Sequence, residues 1–350
     1  MWNVFNLIFE RVGVITNFTE VVINHNFFEV DTLSFSIPYD EDTYNLLWLS
    51  MILHKQGTNK GFMIHTLEVR ERENTIWGYA YGLESILNDR VVRYPRYFNT
   101  NAESIMHTLV DENMINSPFT QRNYPNLVKT TNGNRGAVTE ENYWGQTLYS
   151  IFTELGKRNG MGFKIRFNPY NQEYIFENVI ATDRTTQQST NTPIRWVSEW
   201  NDTYDEALIN SQKDWKTNAY IISGDDVPIL IGVGDSFSVK SDFFRKEMFI
   251  QASDITQTLK DESGTTLTEG QVEALMRSRG KMELNQFKRI EDYTFNLSEG
   301  IDEVYGVDYF EGDYVSVVHQ GYGIVKHQQI VTVEERILGN TSQFNIKFDE

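Results

Sequence analysis

The sequence predicts a mainly β chain decorated with α+β segments, and three observations carry that expectation. Aromatic residues make up 13% of the 350, with 22 Phe and 18 Tyr, and together with Val, Ile and Thr they favour pleated surfaces over helices. Apolar and polar residues alternate near both ends of the chain, which is the period of a strand with one buried face. Helical spacing is confined to three short stretches. At this length and 40% hydrophobic content, the chain can bury more than one core.

In the first 90 residues, Leu33, Phe35 and Ile37 alternate with Thr32, Ser34 and Ser36, and Trp77, Tyr79 and Tyr81 alternate with Gly78 and Ala80. Pro38-Tyr39-Asp40 breaks the first run. A helix is expected from about 102 to 114, with Thr100 and Glu103 at capping-box spacing before Ile105, Met106, Leu109 and Val110. Residues 116–141 hold two prolines and the run Asn132-Gly133-Asn134-Arg135-Gly136, so a long surface loop is expected.

A second helix places Trp144, Leu148, Ile151, Phe152 and Leu155 on one face and stops at Gly160. Phe163, Ile165 and Phe167 then restart the strand period. The polar segment 183–191 reads as a connecting loop, with strands resuming near Leu208 and Tyr220. A third helix is bounded by Thr268 and Gln271 at one end and Gly280 at the other. Tyr293, Phe295 and Leu297, then Val315 and Val317, then Phe344, Ile346 and Phe348 return the chain to β-structure. No fixed-period repeat is visible.

Several chemistries are excluded or unsupported. With no Cys, there is no disulfide framework, thiolate metal site or Cys nucleophile. The formal net charge of -18 repels a phosphate backbone, so sequence-specific nucleic-acid binding is not expected. The N-terminus lacks the pattern of a secretory signal, and the longest apolar stretch, Leu46 to Leu53, is interrupted by Ser50 and far too short to span a membrane.

His25, His54, His65, His107, His319 and His327 show no metal-binding spacing. No nucleophile elbow or phosphate loop appears, and Gly232-Val233-Gly234-Asp235 reads as a turn. Acid groups such as Asp40, Glu41 and Asp42, or Asp202, Asp205 and Glu206 beside Trp200, could serve a glycosidase, but 49 acids produce such clusters by chance. No cofactor or metal is expected.

Residues 299–313 concentrate Glu299, Asp302, Glu303, Asp308, Glu311 and Asp313 without a Lys or Arg. They are candidate lumen or interface acids, against the plainer reading of a solvated loop. Gly312 and Asp313 form a candidate structural turn, with a positive φ expected at Gly312.

The segment Gly82-Leu83-Glu84-Ser85-Ile86-Leu87-Asn88-Asp89-Arg90, following the Trp77/Tyr79/Tyr81 alternation, resembles the tail hub (baseplate hub) proteins of siphophages. Those are similar to the N-terminal hub portion of tail-associated lysins and to the central hub of contractile-phage baseplates. The pattern continues, in order, with Arg245-Lys246-Glu247-Met248-Phe249-Ile250, Val307-Asp308-Tyr309-Phe310-Glu311-Gly312-Asp313-Tyr314-Val315 and Val331-Thr332-Val333-Glu334-Glu335.

The resemblance implies two β-barrels related to the tail-tube barrel, residues 1–92 and 205–350, the second with a helical insert at about 251–286. Residues 93–204 would form an α+β decoration with two helices. It implies a non-enzymatic virion structural protein at the tail tip, assembled in the host bacterial cytoplasm. A homotrimer would set six barrels against a six-fold tail tube, and closure into a ring leaves no open sheet edge. Its expected partners are the distal tail protein on the tube side, the tape-measure protein, and tail fibre, receptor-binding or lysin proteins below. Tape-measure protein and DNA would pass through it, with no membrane insertion of its own. The alternative is a carbohydrate-binding host-adsorption module of the tail tip, since aromatic rings also stack on sugars.

Overall fold

The alternating N-terminal runs become strands of one sheet. The computed structural model describes residues 1–225, 228–232, 239–260, 265–298, 301–339 and 341–349, without the side chains of 290–294. Strands β1 (Trp2–Phe5) and β2 (Arg11–Ile15) pair antiparallel, as do β3 (Glu20–Asn26) and β4 (Thr32–Pro38). A short helix α1 (Glu41–Leu46), capped by the Asp40 carboxylate, leads to β5 (Ile52–Lys55), β6 (Gly61–Arg70) and β7 (Thr75–Gly82).

Val21, Ile23, Leu33, Phe35 and Ile37 face the core, as their period requires. In β7 the buried face is Ile76, Gly78 and Ala80, and Tyr79 and Tyr81 point outward. The reason is Phe35, whose ring fills the space over Gly78: a Cβ there would lie 2.0 Å from the ring.

The middle of the chain contains β8 (Arg96–Asn101), α2 (Ala102–Val110), β9 (Leu127–Lys129), β10 (Val138–Tyr143), α3 (Leu148–Asn159), β11 (Met161–Asn168) and β12 (Glu173–Ile180). Both expected helices are present, with two differences at their starts. Asn101, not Thr100, caps α2, its side chain accepting from the Ser104 N–H at 2.9 Å. Thr147 caps α3, so Trp144 lies before the helix and is exposed. Residues 116–141 are not all loop, because β9 pairs parallel with β12 and β10 antiparallel with β8.

The remainder holds β13 (Arg195–Val197), β14 (Thr203–Ser211), β15 (Asn218–Ser223), β16 (Pro228–Gly232), β17 (Glu247–Ala252), α4 (Glu269–Gln286), β18 (Ile290–Leu297), β19 (Tyr314–His319), β20 (Ile324–Leu338) and β21 (Thr341–Phe348). The capping box of Thr268 and Gln271 starts α4 as expected. The helix continues past Gly280, which serves packing instead: a Cβ there would lie 2.1 Å from Ile221 Cδ1 and 2.5 Å from Ile231 Cδ1. The turn expected at 232–235 falls largely outside the described residues.

Among the described residues the largest sheet has 11 strands in the order β13-β19-β20-β3-β4-β7-β6-β5-β1-β2, with β21 on β20. First and last parts of the chain therefore share one sheet, joined by β20 against β3. Among the described residues the path ends at β13 and β2, and closed barrels do not follow from it. Contacts also cross the expected divisions at 92 and 204. Leu83, Ile86, Leu87 and Val92 pack with α2 and α3, while Trp196 packs with Val315 and Val317. The described residues of 205–350 contribute to two cores, one under α4 that also takes in Tyr97 and one against β19 and β20 that also takes in Ile194 and Trp196.

Candidate functional site

Where β20 meets β3, charged side chains gather around a cavity of about 520 Å³. The parity that buries Val21 and Ile23 in β3 carries His25 inward, and the parity of Val333 in β20 does the same for Glu335. Asp31 comes from the β3–β4 connection, Lys60 from the β5–β6 connection, Glu84 from the turn after β7, Lys164 from β11, and Tyr305 and Glu311 from the acidic segment before β19.

Lys60 Nζ lies 3.2 Å from Asp31 Oδ2 and 2.8 Å from Glu311 Oε1. Its Nζ also lies 2.9 Å from His25 Nδ1, and His25 Nε2 lies 3.3 Å from Glu335 Oε2. Glu335 takes a second contact from Lys55 Nζ at 2.6 Å. Lys164 bonds Asp31 and the Asn26 carbonyl and lies 3.7 Å from Glu84. Tyr305 stacks on His25 with ring centroids 5.4 Å apart and donates to Glu311 at 2.6 Å.

Burial alone would raise every carboxyl here, and the cations decide which ones stay low. Against burial, Lys164, Lys60 and His25 hold Asp31 well below its ordinary value. Burial of Glu311 is outweighed by Lys60 and His25, which hold it at about 2. His25 and Lys55 bring Glu335 to about 2 in the same way. Glu84 is raised, because burial and the neighbouring Asp31 charge outweigh Lys164. Each ammonium faces a carboxylate, so the arrangement braces segments far apart in sequence. Among the described residues no group of three or more His, Asp or Glu could hold a metal ion.

The candidate acids divide. Glu311 joins this cluster, and Asp313 is buried with its Oδ2 2.7 Å from Arg184 Nε. Neither is a solvated charge: Glu311 pairs with Lys60 and Asp313 with Arg184 within the chain. Asp302 is exposed, Glu303 and Asp308 are half-exposed, and Glu299 lies outside the described residues. Gly312 has φ +100°, and a Cβ would lie 2.3 Å from the Phe27 ring. Nothing in the sequence pattern marked Lys60, Lys164 or Asp31, and Glu84 and Glu335 entered only as members of the hub-like segments 82–90 and 331–335. The available signal was a charged residue at a core parity, as in Leu83-Glu84-Ser85-Ile86 and Val333-Glu334-Glu335.

The sequence matches the siphovirus ReqiPepy6 Gp37-like protein family over residues 1–348. The chain belongs to that family. Among the solved structures that share this fold are three tail proteins. A prophage tail protein gp18 from Listeria monocytogenes EGD-e is 12% identical, with a TM-score of 0.55 over 99% of this chain and 93% of that one. A tail protein from Neisseria meningitidis MC58 is 11% identical, with a TM-score of 0.56 over 100% and 96%. The 43 kDa tail protein of prophage MuSo2 from Shewanella oneidensis is 11% identical, with a TM-score of 0.56 over 97% and 96%. No curated protein matches the sequence significantly. The resemblance drawn from the sequence holds at the level of a siphophage tail protein.

Proposed function

We propose that this protein is the hub at the distal end of a siphophage tail tube, a structural and non-enzymatic subunit. The observation that carries the reading is end-to-end likeness to tail proteins over 93–96% of their own length, joined to a family match over residues 1–348. In this reading the protein is a homotrimer, and residues 1–92 and 205–350 supply two tube-like barrels per chain. Three chains then present six such units to the tube, closing it at rest and passing tape-measure protein and DNA during infection. The distal tail protein sits on the tube side, with fibre, receptor-binding or lysin proteins below. The charge cluster suits such a part, because it ties β3 and β5 near the start of the chain to β20 near its end in one body.

Electron microscopy of purified tails tests this. The expected result is three-fold density at the tip, with six lobes facing the tube and antibody to this chain bound there. A six-fold ring of whole chains, or label along the tube shaft, would overturn it. A carbohydrate-binding adsorption module remains the alternative, and glycan binding by the isolated chain without any ring is the result that would favour it.

A further inference from the structure

The two ends of α3 present features that complement each other in charge and polarity. At its N-terminal end, the Leu148 N–H donates to the Arg90 carbonyl and the Val92 N–H to the Gln146 carbonyl, both at 2.9 Å. Here Arg90, Arg93 and Arg122 converge. Arg90 Nε donates to the Arg122 carbonyl at 2.9 Å, and its guanidinium lies 4.4 Å from the Tyr124 ring. Arg93 sits 3.8 Å over Phe119 and 5.1 Å from Tyr94. Burial, with repulsion from Arg90 and Arg93, lowers the Arg122 guanidinium below its ordinary value.

Among the described residues no carboxylate pairs with any of these three arginines. In a chain of net charge -18, three guanidiniums held together by rings and carbonyls form a basic patch, and the nearby Asp89 carboxylate is engaged by the Tyr124 hydroxyl at 2.8 Å. Tyr94 is 57% exposed beside it. Arg and aromatic rings held rigid by stacking are the composition of protein-interface hot spots.

At the other end of α3, a Cβ on the capping Gly160 would lie 3.6 Å from the Tyr314 hydroxyl. Tyr314 opens β19, directly after the acidic segment. That segment shows Asp302, Glu303 and Asp308 at the surface together with Val307, 70% exposed, and Phe310. The helix has 12 residues, about 18 Å at 1.5 Å per residue, so the patch and Tyr314, which follows the acidic segment in the chain, flank opposite ends of it. A heterologous contact needs two different, mutually complementary surfaces held apart on one subunit.

We infer that the Arg90/Arg93/Arg122 patch of one copy receives the 302–310 segment of the next copy, a head-to-tail contact that closes the ring. This rests on the ring reading above. Nucleic acid is the less suitable occupant, because the overall charge repels a polyanion while a short acidic loop meets only the local patch.

The test is a charge exchange on the full chain, followed by analytical ultracentrifugation at low and high salt. Arg93→Glu, and separately Asp302→Lys with Glu303→Lys, should each weaken association by about tenfold or more, since like charges then face each other. The combined variant should recover most of the loss. Thermal midpoints should stay near wild type, because these positions are largely solvent-facing. Wild-type association in both single sets, or no recovery in the combination, overturns the contact while leaving the ring intact. A wild-type chain that stays monomeric in solution and in assembled tails overturns the ring and the contact together. Loss of binding to a short single-stranded DNA probe in Arg93→Glu, with association unchanged, would reassign the patch to nucleic acid and overturn the inference.

Discussion

At Gly312 the backbone must turn with φ +100° while passing over the fully buried Phe27 ring. A side chain there meets both a left-handed conformation and a filled space. Gly312→Val should cost about 3 kcal/mol of stability, and an unchanged urea midpoint would contradict this. Lys60 has a different role, since Asp31 and Glu311 both depend on it. Lys60→Met should cost about 3 kcal/mol, the cost of leaving buried carboxylates without their partner, with partial recovery on adding Glu311→Gln.

The same residues fix the response to acid. Glu311 and Glu335, held at about 2, contribute stability that is complete above their unfolded value of about 4.3 and disappears as pH falls towards 2. Asp31 acts in the same direction. Glu84, raised instead, acts oppositely and gains from protonation. Three lowered carboxyls outweigh one raised, so urea unfolding below about pH 4 should show stability falling with pH. The slope should be shallower in Glu311→Gln, and an identical slope in that variant would remove Glu311 from the account.

Among the elements, α4 shows packing overruling propensity. Ala is the better helix former by about 1 kcal/mol, yet Gly280→Ala should destabilise, because its Cβ would enter the space of Ile221 and Ile231. Overpacking of that kind costs about 1–3 kcal/mol. Ile221→Val removes the closest atom, so the double variant should recover stability; a more stable Gly280→Ala would show that the helix moves freely on β15 and β16. The same competition hid the helix end from sequence, since a glycine that packs and a glycine that caps look alike. Gly160, with φ +60°, does cap α3, and there the expectation from sequence and the geometry agree.

For the whole molecule, the consequential link is β20 against β3, 306 residues apart at Thr332 and Asn26. Removing β20 and β21 would strip β3 of one of its two neighbours and take Glu335 from His25 and Lys55. A chain ending at His319 should therefore lose the near-ultraviolet circular dichroism of the N-terminal sheet as well as that of its own missing strands. A fragment that retains it, with a cooperative thermal transition, would show that the N-terminal sheet stands alone.

The predominance of strands, the three main helices and the capping residues Thr268 and Gly160 are legible in the sequence alone. The sequence also pointed to the siphophage tail family, because these properties rest on local period, local backbone chemistry and ordered short motifs. Tertiary structure decided which face of β7 is buried, since Phe35 from another strand occupies the space that Tyr79 and Tyr81 would need. It likewise turned Glu311 and Asp313 from members of an acidic run into internal partners of Lys60 and Arg184. Charge in a sequence carries a sign but no address, and only the pairing of strands distant along the chain brings each carboxylate to its cation.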